Sequence, residues 1–355
     1  MNHLLRLIQF LLLPFSWLYR FITGFRNCLF DKSILKETRL QVPVISVGNI
    51  TLGGTGKTPF VIALSSFLES KGYKVGVITR GYHRKSKGQI IVKDGKSILA
   101  SPQEAGDEPY LIACKSGSTV IIADADRVEA ARCAIDKYHC TALIADDAFQ
   151  HRYLARDLDI VLWDSYNDPA KEAIVPSGHL RESWKGLHRA DMLLVTRTAN
   201  LPQHIAEFFH AKRNNLYIST LPFSVRKIFR FSDHAELSQA NLENQKVLCF
   251  CGLGNPQQFY DTVRQLTQTL PIIKTFPDHH KYSENEIDEL IQAAEKQDCR
   301  FIVTTEKDAV NLPPSTMKFS RILIVQISCD LTKKIKAAII KQLPPLKNRL
   351  LTFTG

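Results

Sequence analysis

The sequence predicts an α/β protein: a mostly parallel sheet with helices on both faces, followed by a smaller second αβ unit. Three observations predict it. Short β-branched and apolar runs alternate with segments of helical periodicity, and the runs lack the apolar–polar alternation of a half-exposed sheet. The first run, Val44-Ile45-Ser46-Val47, ends in a glycine-rich turn that opens a helix pattern. The pattern changes over residues 217–245 and strand–helix alternation then resumes.

The elements follow in order. After the glycine-rich turn, Phe60, Val61, Leu64, Phe67 and Leu68 fall at helical spacing, and Gly72 ends the helix. Lys74 to Thr79 reads as a strand that runs into a basic loop, Arg80 to Gly88. Gln89 to Val92 reads as one arm of a hairpin turned at Asp94-Gly95. Glu104 to Lys115 and Arg127 to Tyr138 read as helices. Thr119 to Ala123, Ala142 to Ala145, Asp159 to Trp163 and Met192 to Thr196 read as strands. Residues 224–231 alternate in polarity, as an antiparallel strand does. In the second unit, Lys246 to Cys251, Ile272 to Phe276, Phe301 to Thr304 and Ile322 to Ile327 read as strands. Asn255-Pro256 opens one helix, and Ser283 with Glu286 forms a capping box for another. The expected division is an N-terminal segment 1–40, a P-loop domain 41–216, a linker 217–245 and a C-terminal αβ domain 246–355.

A chain of 355 residues, 45% hydrophobic and 23% charged, can bury a sizeable core. Its net charge of +11 calls for a polyanionic partner. No zinc finger, basic zipper or RNP box is present, so nucleic acid is the weaker choice beside anionic lipid or a phosphorylated substrate. The eight cysteines have no CxxC or Cys/His spacing and read as reduced thiols. Leu7 to Tyr19 carries no charge and is rich in Leu and Phe, and a basic flank follows: Arg20, Arg26, Lys32, Lys36 and Arg39. Pro14 interrupts the apolar stretch, which is short for a span. It reads as a helix in the membrane interface, with Trp17 and Tyr19 at headgroup depth. A helix docked on the protein's own surface is the alternative, and a single span stays open.

The chemistry concentrates in a few places. The turn Leu52-Gly53-Gly54-Thr55-Gly56-Lys57-Thr58 has the layout of a phosphate-binding P-loop. Backbone N–H groups curl around the β-phosphate, Lys57 reaches the β/γ-phosphates and the Thr58 hydroxyl can ligate Mg²⁺. The strict pattern asks for glycine where Thr51 stands. Asp146-Asp147 closes a hydrophobic strand, the usual place for a Mg²⁺-holding carboxylate near a P-loop. Asp107-Glu108 stands at a helix start, where local spacing favours a helix-dipole role. Asp124 and Asp126 end a strand and could stand near the phosphates. Arg181-Glu182 reads either as a surface ion pair or as an arginine for a transferring phosphoryl group.

Together these segments resemble the tetraacyldisaccharide 4'-kinase family, the lipid A 4'-kinases. The matching pieces occur in the family's order: Ser46 to Asn49 with Gly53 to Pro59, Thr79 to Tyr82, Gly106 to Pro109, Asp126-Arg127, Asp146 to His151, Pro176 to Glu182, Asp278-His279 and Thr305 to Asp308. The position of Thr51 is one that the family does not require to be glycine. The resemblance implies a P-loop domain joined to a smaller αβ domain by a two-stranded β linker. It implies transfer of the ATP γ-phosphoryl group, with Mg²⁺, to the 4′-hydroxyl of a tetraacylated glucosamine disaccharide 1-phosphate, giving lipid IVA. The setting it implies is the cytoplasmic face of the inner membrane, with a lipid partner, no nucleic acid and a monomeric enzyme. By the same resemblance Thr51 to Thr58 bind the nucleotide, and Lys57 and Arg181 join the catalytic set. Asp107 takes the base role with His279 as partner, overriding the local dipole reading. Asp146 and Asp147 hold the metal with Thr58; Glu108, Gln150 and Glu182 contact the substrate or stand just behind the residues that do, and Tyr82 is a nucleotide- or substrate-side contact. A P-loop ATPase switch is the competing class; such proteins often carry a second lysine early in the loop, where this chain has Leu52.

Overall fold

The structure is a computed structural model and describes residues 3–82 and 84–343. His83 of the basic loop, the side chains of residues 3–9 (Arg6 and Leu7 among them) and residues 344–355 at the end of the expected C-terminal domain lie outside the described residues.

A long helix, α1 (His3–Asp31), comes first. The elements of the first unit are β1 (Val44–Asn49), α2 (Lys57–Ser70), β2 (Val75–Thr79), β3 (Ile90–Asp94), α3 (Pro102–Ala105), α4 (Asp107–Lys115), β4 (Val120–Ala123), α5 (Arg127–Asp136), β5 (Ala142–Asp146), β6 (Leu158–Asp164), β7 (Met192–Thr196), α6 (Gln203–Lys212) and β8 (Tyr217–Leu221). Eight strands form one sheet in the order β3-β4-β2-β5-β1-β6-β7-β8. All pair in parallel except β3, which runs antiparallel to β4 and also turns back on itself at Asp94-Gly95, where Lys93 bridges Ile98 and Leu99 N donates to Val92 O (2.8 Å).

Both faces of this sheet are covered, which is why its strands read as continuous apolar runs. Ile45, Val47, Val75, Val77, Ile144 and Ile160 pack on one face against Phe60, Val61, Leu64 and Leu68 of α2 and Ile112 of α4. Val44, Ile78, Leu143 and Ala145 face the opposite way, against Ala130, Ala131 and Ala134 of α5. Val161, Trp163, Leu193 and Val195 meet Ile205 and Phe209 of α6. Each fully buried Leu, Val or Phe contributes about 1.5–3 kcal/mol. The predicted single helix over 104–115 is broken at Gly106, whose φ of 91° no helix accommodates. Ser101 and Glu104 close a capping box on the short α3, and α4 starts afresh at Asp107.

The second unit contains β9 (Phe223–Arg230), β10 (Glu236–Leu237), β11 (Val247–Cys251), α7 (Gln257–Thr267), β12 (Ile272–Thr275), α8 (Glu284–Lys296), β13 (Phe301–Thr305), α9 (Glu306–Ala309), β14 (Ile322–Cys329) and α10 (Lys333–Gln342). Six strands pair in the order β10-β9-β14-β13-β11-β12. Cys249 and Cys251 share one face, under Phe259, Tyr260 and Val263 of α7, and all eight thiols are free. The Ser283–Glu286 capping box is present at α8.

The segment 217–245, expected as a β linker, carries β8 at the edge of the first sheet and β9 as an inner strand of the second, antiparallel to β14. The final helix leaves its own unit. Ile335, Ile339 and Leu343 belong to the core of the first sheet, and the Lys336 ammonium sits 5.7 Å from the Phe67 ring of α2.

Helix α1 lies along the first unit with one face docked. Ser16 Oγ donates to Ser177 Oγ (2.8 Å) and Asn27 donates to Glu182 Oε2 (3.0 Å). Arg152 binds Asp31 (2.7 Å), and Phe30 is buried against the Tyr153 ring. The other face exposes Phe10, Leu11, Phe15, Trp17, Leu18, Phe21, Ile22 and Phe25. Tyr19, expected at headgroup depth, instead donates its hydroxyl to the Arg181 carbonyl (3.1 Å). No helix among the described residues is long and apolar enough to cross a membrane.

Candidate active site

In an open parallel sheet, ligands bind outside the carboxyl ends of the strands, where neighbouring connections leave in opposite directions. Strand β1 stands at that place, between β5 and β6. The loop after β1, the Asp146-Asp147 end of β5 and the Thr79-Arg80 end of β2 converge there. They form one wall of a cleft of about 920 Å³, and the other wall comes from the second unit through Gly254, His279 and Lys307.

The loop has the backbone that a phosphate cradle requires. Gly53 and Gly56 have φ of 99° and 84°. A Cβ on Gly56 would fall 2.3 Å from the Phe223 ring, so a side chain there is excluded twice over. Leu52, Gly53, Gly54, Thr55, Gly56, Lys57 and Thr58 all line the cleft. Thr51 does not. It is fully buried and bridges to Leu180, flanked by hydrogen bonds from Leu52 N to His179 O (2.7 Å) and from Arg181 N to Ile50 O (2.8 Å). An extended, paired position needs no glycine, which accounts for the departure from the strict pattern.

The two aspartates after β5 differ sharply. Asp147, at a φ of 47°, receives both carboxylate contacts of Arg181 Nη1 (2.8 and 2.9 Å) and lies 3.5 Å from Lys57 Nζ. Burial alone would raise its pKa, but Lys57 and Arg181 together hold it down at about 2. Asp146 is buried and accepts only from Thr79 Oγ1 (3.3 Å), and its Oδ1 has no partner. Burial, then the charges of Glu108 and Asp147, push it up to about 7. Removal of a carboxylate from water without a paired cation disfavours its ionised form. Arg127, buried and facing the cleft, has its charge disfavoured by burial and supported by Asp146 and Asp147.

Asp107 is the first residue of α4, placed there by the break at Gly106. Its Oδ2 lies 3.1 Å from His279 Nδ1 and accepts from Asn311 Nδ2 at 2.9 Å. Burial acts to raise it, yet the hydrogen bonds of His279 and Asn311 and the charges of His279 and Lys307 hold it below the ordinary carboxylate value. His279 stands at a φ of 60°, a left-handed backbone that few non-glycine residues adopt away from functional sites.

The structure places the remaining predicted residues in two groups. Tyr82 and Glu108 line the cleft, Tyr82 under the Arg80 guanidinium (5.5 Å) and Glu108 3.8 Å from Lys307 Nζ. Gln150 bridges the strand and the loop, donating to Asn49 O and Glu182 Oε1, each at 3.0 Å. Glu182 is buried and fully engaged by Arg189, Gln150 and Asn27. Its contacts are with the protein, so it braces the loop rather than facing the cleft. Asp126 caps α5 through Val128 N and Glu129 N, and Asp124 accepts from Asp126 N. Sequence reasoning gave no role to Asn311, Lys307 or Arg197. Arg197 ties Asp164 (2.9 Å) to the Gly54 carbonyl (2.9 Å). Lys307 sits in the noted Thr305-to-Asp308 stretch, whereas nothing in the sequence marks Asn311.

A doubly wound sheet, a P-loop at its centre and a carboxylate–histidine pair across a two-unit cleft define a P-loop phosphotransferase. Comparison with known proteins narrows the class. A family model described as tetraacyldisaccharide-1-P 4'-kinase matches residues 8–344. The tetraacyldisaccharide 4'-kinase of Aquifex aeolicus is 36% identical over 336 residues, covering 93% of this chain and 98% of that protein. The one from Halothermothrix orenii is 34% identical over 336 residues, covering 89% and 84%. The crystal structure of the "apo" form of LpxK from Aquifex aeolicus in complex with ATP matches with a TM-score of 0.72 and 32% identity, covering 95% of this chain and 100% of that one. The chain belongs to the tetraacyldisaccharide 4'-kinase family.

Proposed function

We propose that this protein transfers the γ-phosphoryl group of ATP to the 4′-hydroxyl of tetraacyldisaccharide 1-phosphate, giving lipid IVA. One observation carries the reading. The Asp107 carboxylate is held by His279 and Asn311 of the second unit, and its partner His279 and chain neighbour Glu108 line the same cleft as the phosphate loop and Lys57. A sugar hydroxyl is a poor nucleophile, and a carboxylate that accepts its proton aligns it for in-line attack. The proton passes from the 4′-oxygen to Asp107. The oxygen bonds the γ-phosphorus as the bond to the β-phosphate oxygen breaks, and ADP leaves. Lys57 holds the phosphate charge throughout. Arg181 fixes Asp147, which in turn steadies the Lys57 ammonium.

The donors suit Mg²⁺. Asp146 Oδ1 is a buried carboxylate oxygen without a partner, and Thr58 brings a hydroxyl to the cleft. Hard oxygen donors of this kind hold Mg²⁺, which keeps waters and substrate phosphates for its other positions. This agrees with there being no cluster of three or more His, Cys, Asp or Glu ligands among the described residues. A Mg²⁺ held by Asp146 and Thr58 would supply positive charge against the phosphoryl oxygens as charge develops there. Asp147, engaged by Lys57 and Arg181, serves this role less directly than Asp146.

The substrate is acylated, so the exposed apolar face of α1 is read as the surface that meets the membrane interface. Replacing Phe15, Trp17, Phe21 and Phe25 by serine is expected to lower partition onto anionic vesicles by roughly tenfold or more. Co-sedimentation measures it, and unchanged binding would place the contact elsewhere. The whole reading is tested with labelled ATP and tetraacyldisaccharide 1-phosphate in detergent micelles. Transfer to the disaccharide that depends on Mg²⁺ is the expected result, and none at any Mg²⁺ concentration would overturn the reading.

A further inference from the structure

Asp107 has two oxygens, and the second unit occupies one of them. Oδ2 is met by His279 Nδ1 at 3.1 Å and by Asn311 Nδ2 at 2.9 Å. The far side of the imidazole is also occupied: His279 Nε2 lies 3.3 Å from Lys307 Nζ. Around the ring stand Asp107 and Glu108 from α4, Asp278 from its own loop and Lys307 from α9, with Asp308 next in sequence. An ammonium can only donate, so toward Lys307 Nε2 accepts, and the Asp278 carboxylate at 3.9 Å lies beyond hydrogen-bond reach of that nitrogen. The ring proton then sits on Nδ1, and it points at Asp107 Oδ2.

Lys307 is held for this task. Its ammonium also binds Asp278 Oδ1 at 2.8 Å and lies 3.8 Å from Glu108 Oε1. Burial disfavours its charge, but Glu108 and Asp278 more than offset that and keep it an ammonium. The turn carrying it is pinned by the buried Asp308, which accepts from Gly252 N (2.8 Å), Tyr282 OH (2.8 Å) and Thr305 Oγ1 (2.6 Å). Asn311 is fixed by the same turn through its backbone N–H to Asp308 O (2.9 Å). An ion pair between Lys115 of α4 and Glu306 of α9 joins the two helices beside these groups.

We propose that Lys307 and Asn311 are positioning residues for the base: Lys307 selects the Nδ1–H tautomer of His279, and together with Asn311 this occupies Oδ2 of Asp107 and leaves Oδ1 to take the acceptor proton. The inference rests on Asp107 being the base of the proposed reaction. It makes the base incomplete until the second unit is in place, because all three supporting groups come from there.

The test uses the full-length protein with ¹⁵N-labelled histidine. The His279 signal is identified by its loss in His279→Gln. In the wild type it should show a protonated Nδ1 and a bare Nε2. Lys307→Met should give a mixture of tautomers and lower kcat by roughly tenfold or more, the direction of loss that a wrong tautomer produces in other enzymes. The KM for ATP should stay within roughly twofold. Lys307→Arg, which restores a donor, should recover the single tautomer and much of kcat. A protonated Nε2 in the wild type, an unchanged tautomer in Lys307→Met, or an unchanged kcat in that variant would each overturn the proposal. The wild-type spectrum decides even if Lys307→Met fails to fold. It also reads the tautomer without turnover, so its failure is distinct from failure of the base role, which is read by kinetics of an Asp107 variant.

Discussion

Asp107→Asn is expected to lower kcat by roughly 10²- to 10⁴-fold, the range that a positioned general base supplies. That corresponds to about 3–5 kcal/mol of lost transition-state stabilisation. The substitution is nearly isosteric. The asparagine carbonyl can still accept from His279 and Asn311, so the clasp between the two units survives. What disappears is an oxygen able to take the proton. The KM for ATP should therefore stay within roughly twofold, because the phosphate loop, Lys57 and Asp147 are untouched. Steady-state kinetics with both substrates measure this. Losses of equal size in turnover and ATP binding would assign Asp107 a structural part instead, and near-normal turnover would move the base to another group, with Glu108 the nearest carboxylate.

Asp146→Asn is expected to do opposite things to stability and to activity. The Asp146 carboxyl is raised from 3.8 to about 7 by burial and by the charges of Glu108 and Asp147. A raised carboxyl binds its proton more tightly in the folded state than in the unfolded one. Its contribution to stability is thus unperturbed below pH 4, becomes progressively unfavourable between about pH 4 and 7, and is constant above that. Asparagine does not titrate. Without Mg²⁺, the variant should match the wild type near pH 4 and exceed it by a few kcal/mol at pH 8. Denaturant midpoints at the two pH values measure the difference between the proteins, which cancels the other titrating groups to first order. Turnover should fall by roughly 10²-fold or more, because the carboxylate proposed to hold the metal is lost. Mg²⁺ should stabilise the wild type more than the variant. A variant that is no more stable at pH 8 than at pH 4, relative to the wild type, would mean that Asp146 is not held protonated.

Much of this was legible in the chain itself. Glycines between a β-branched run and Lys57-Thr58 have one common physical use, and the strand ending at Asp146-Asp147 lies beside it in the sheet. Both follow from local chemistry. Asp107 and His279 did not follow from local chemistry, since 172 residues separate them and the local reading of Asp107 was a helix-dipole partner. The family resemblance paired them, and the break at Gly106 shows how the chain presents Asp107. The family resemblance put Glu182 in or just behind the site, but a loop pattern does not tell which way neighbouring side chains turn. Here Arg181 turns to Asp147 and Glu182 turns inward to Arg189. Asn311 carried no signal, because an asparagine after a short helix is ordinary until a carboxylate from another unit comes to rest beside it. The final helix shows the same limit. Its apolar stripe tells that it packs, not on what.

That last helix has a consequence for how the protein is made. The ridge of α2 and the face of the first sheet beneath it are capped by Ile335, Ile339 and Leu343. These residues are synthesised after the strands of the second unit. At about 5–20 residues per second, the ribosome needs roughly 5–20 s to travel from the end of β8 to this helix. During that interval the phosphate-binding half has all its strands and still lacks part of its roof. The nascent chain must keep that apolar surface out of other contacts until α10 arrives to cover it.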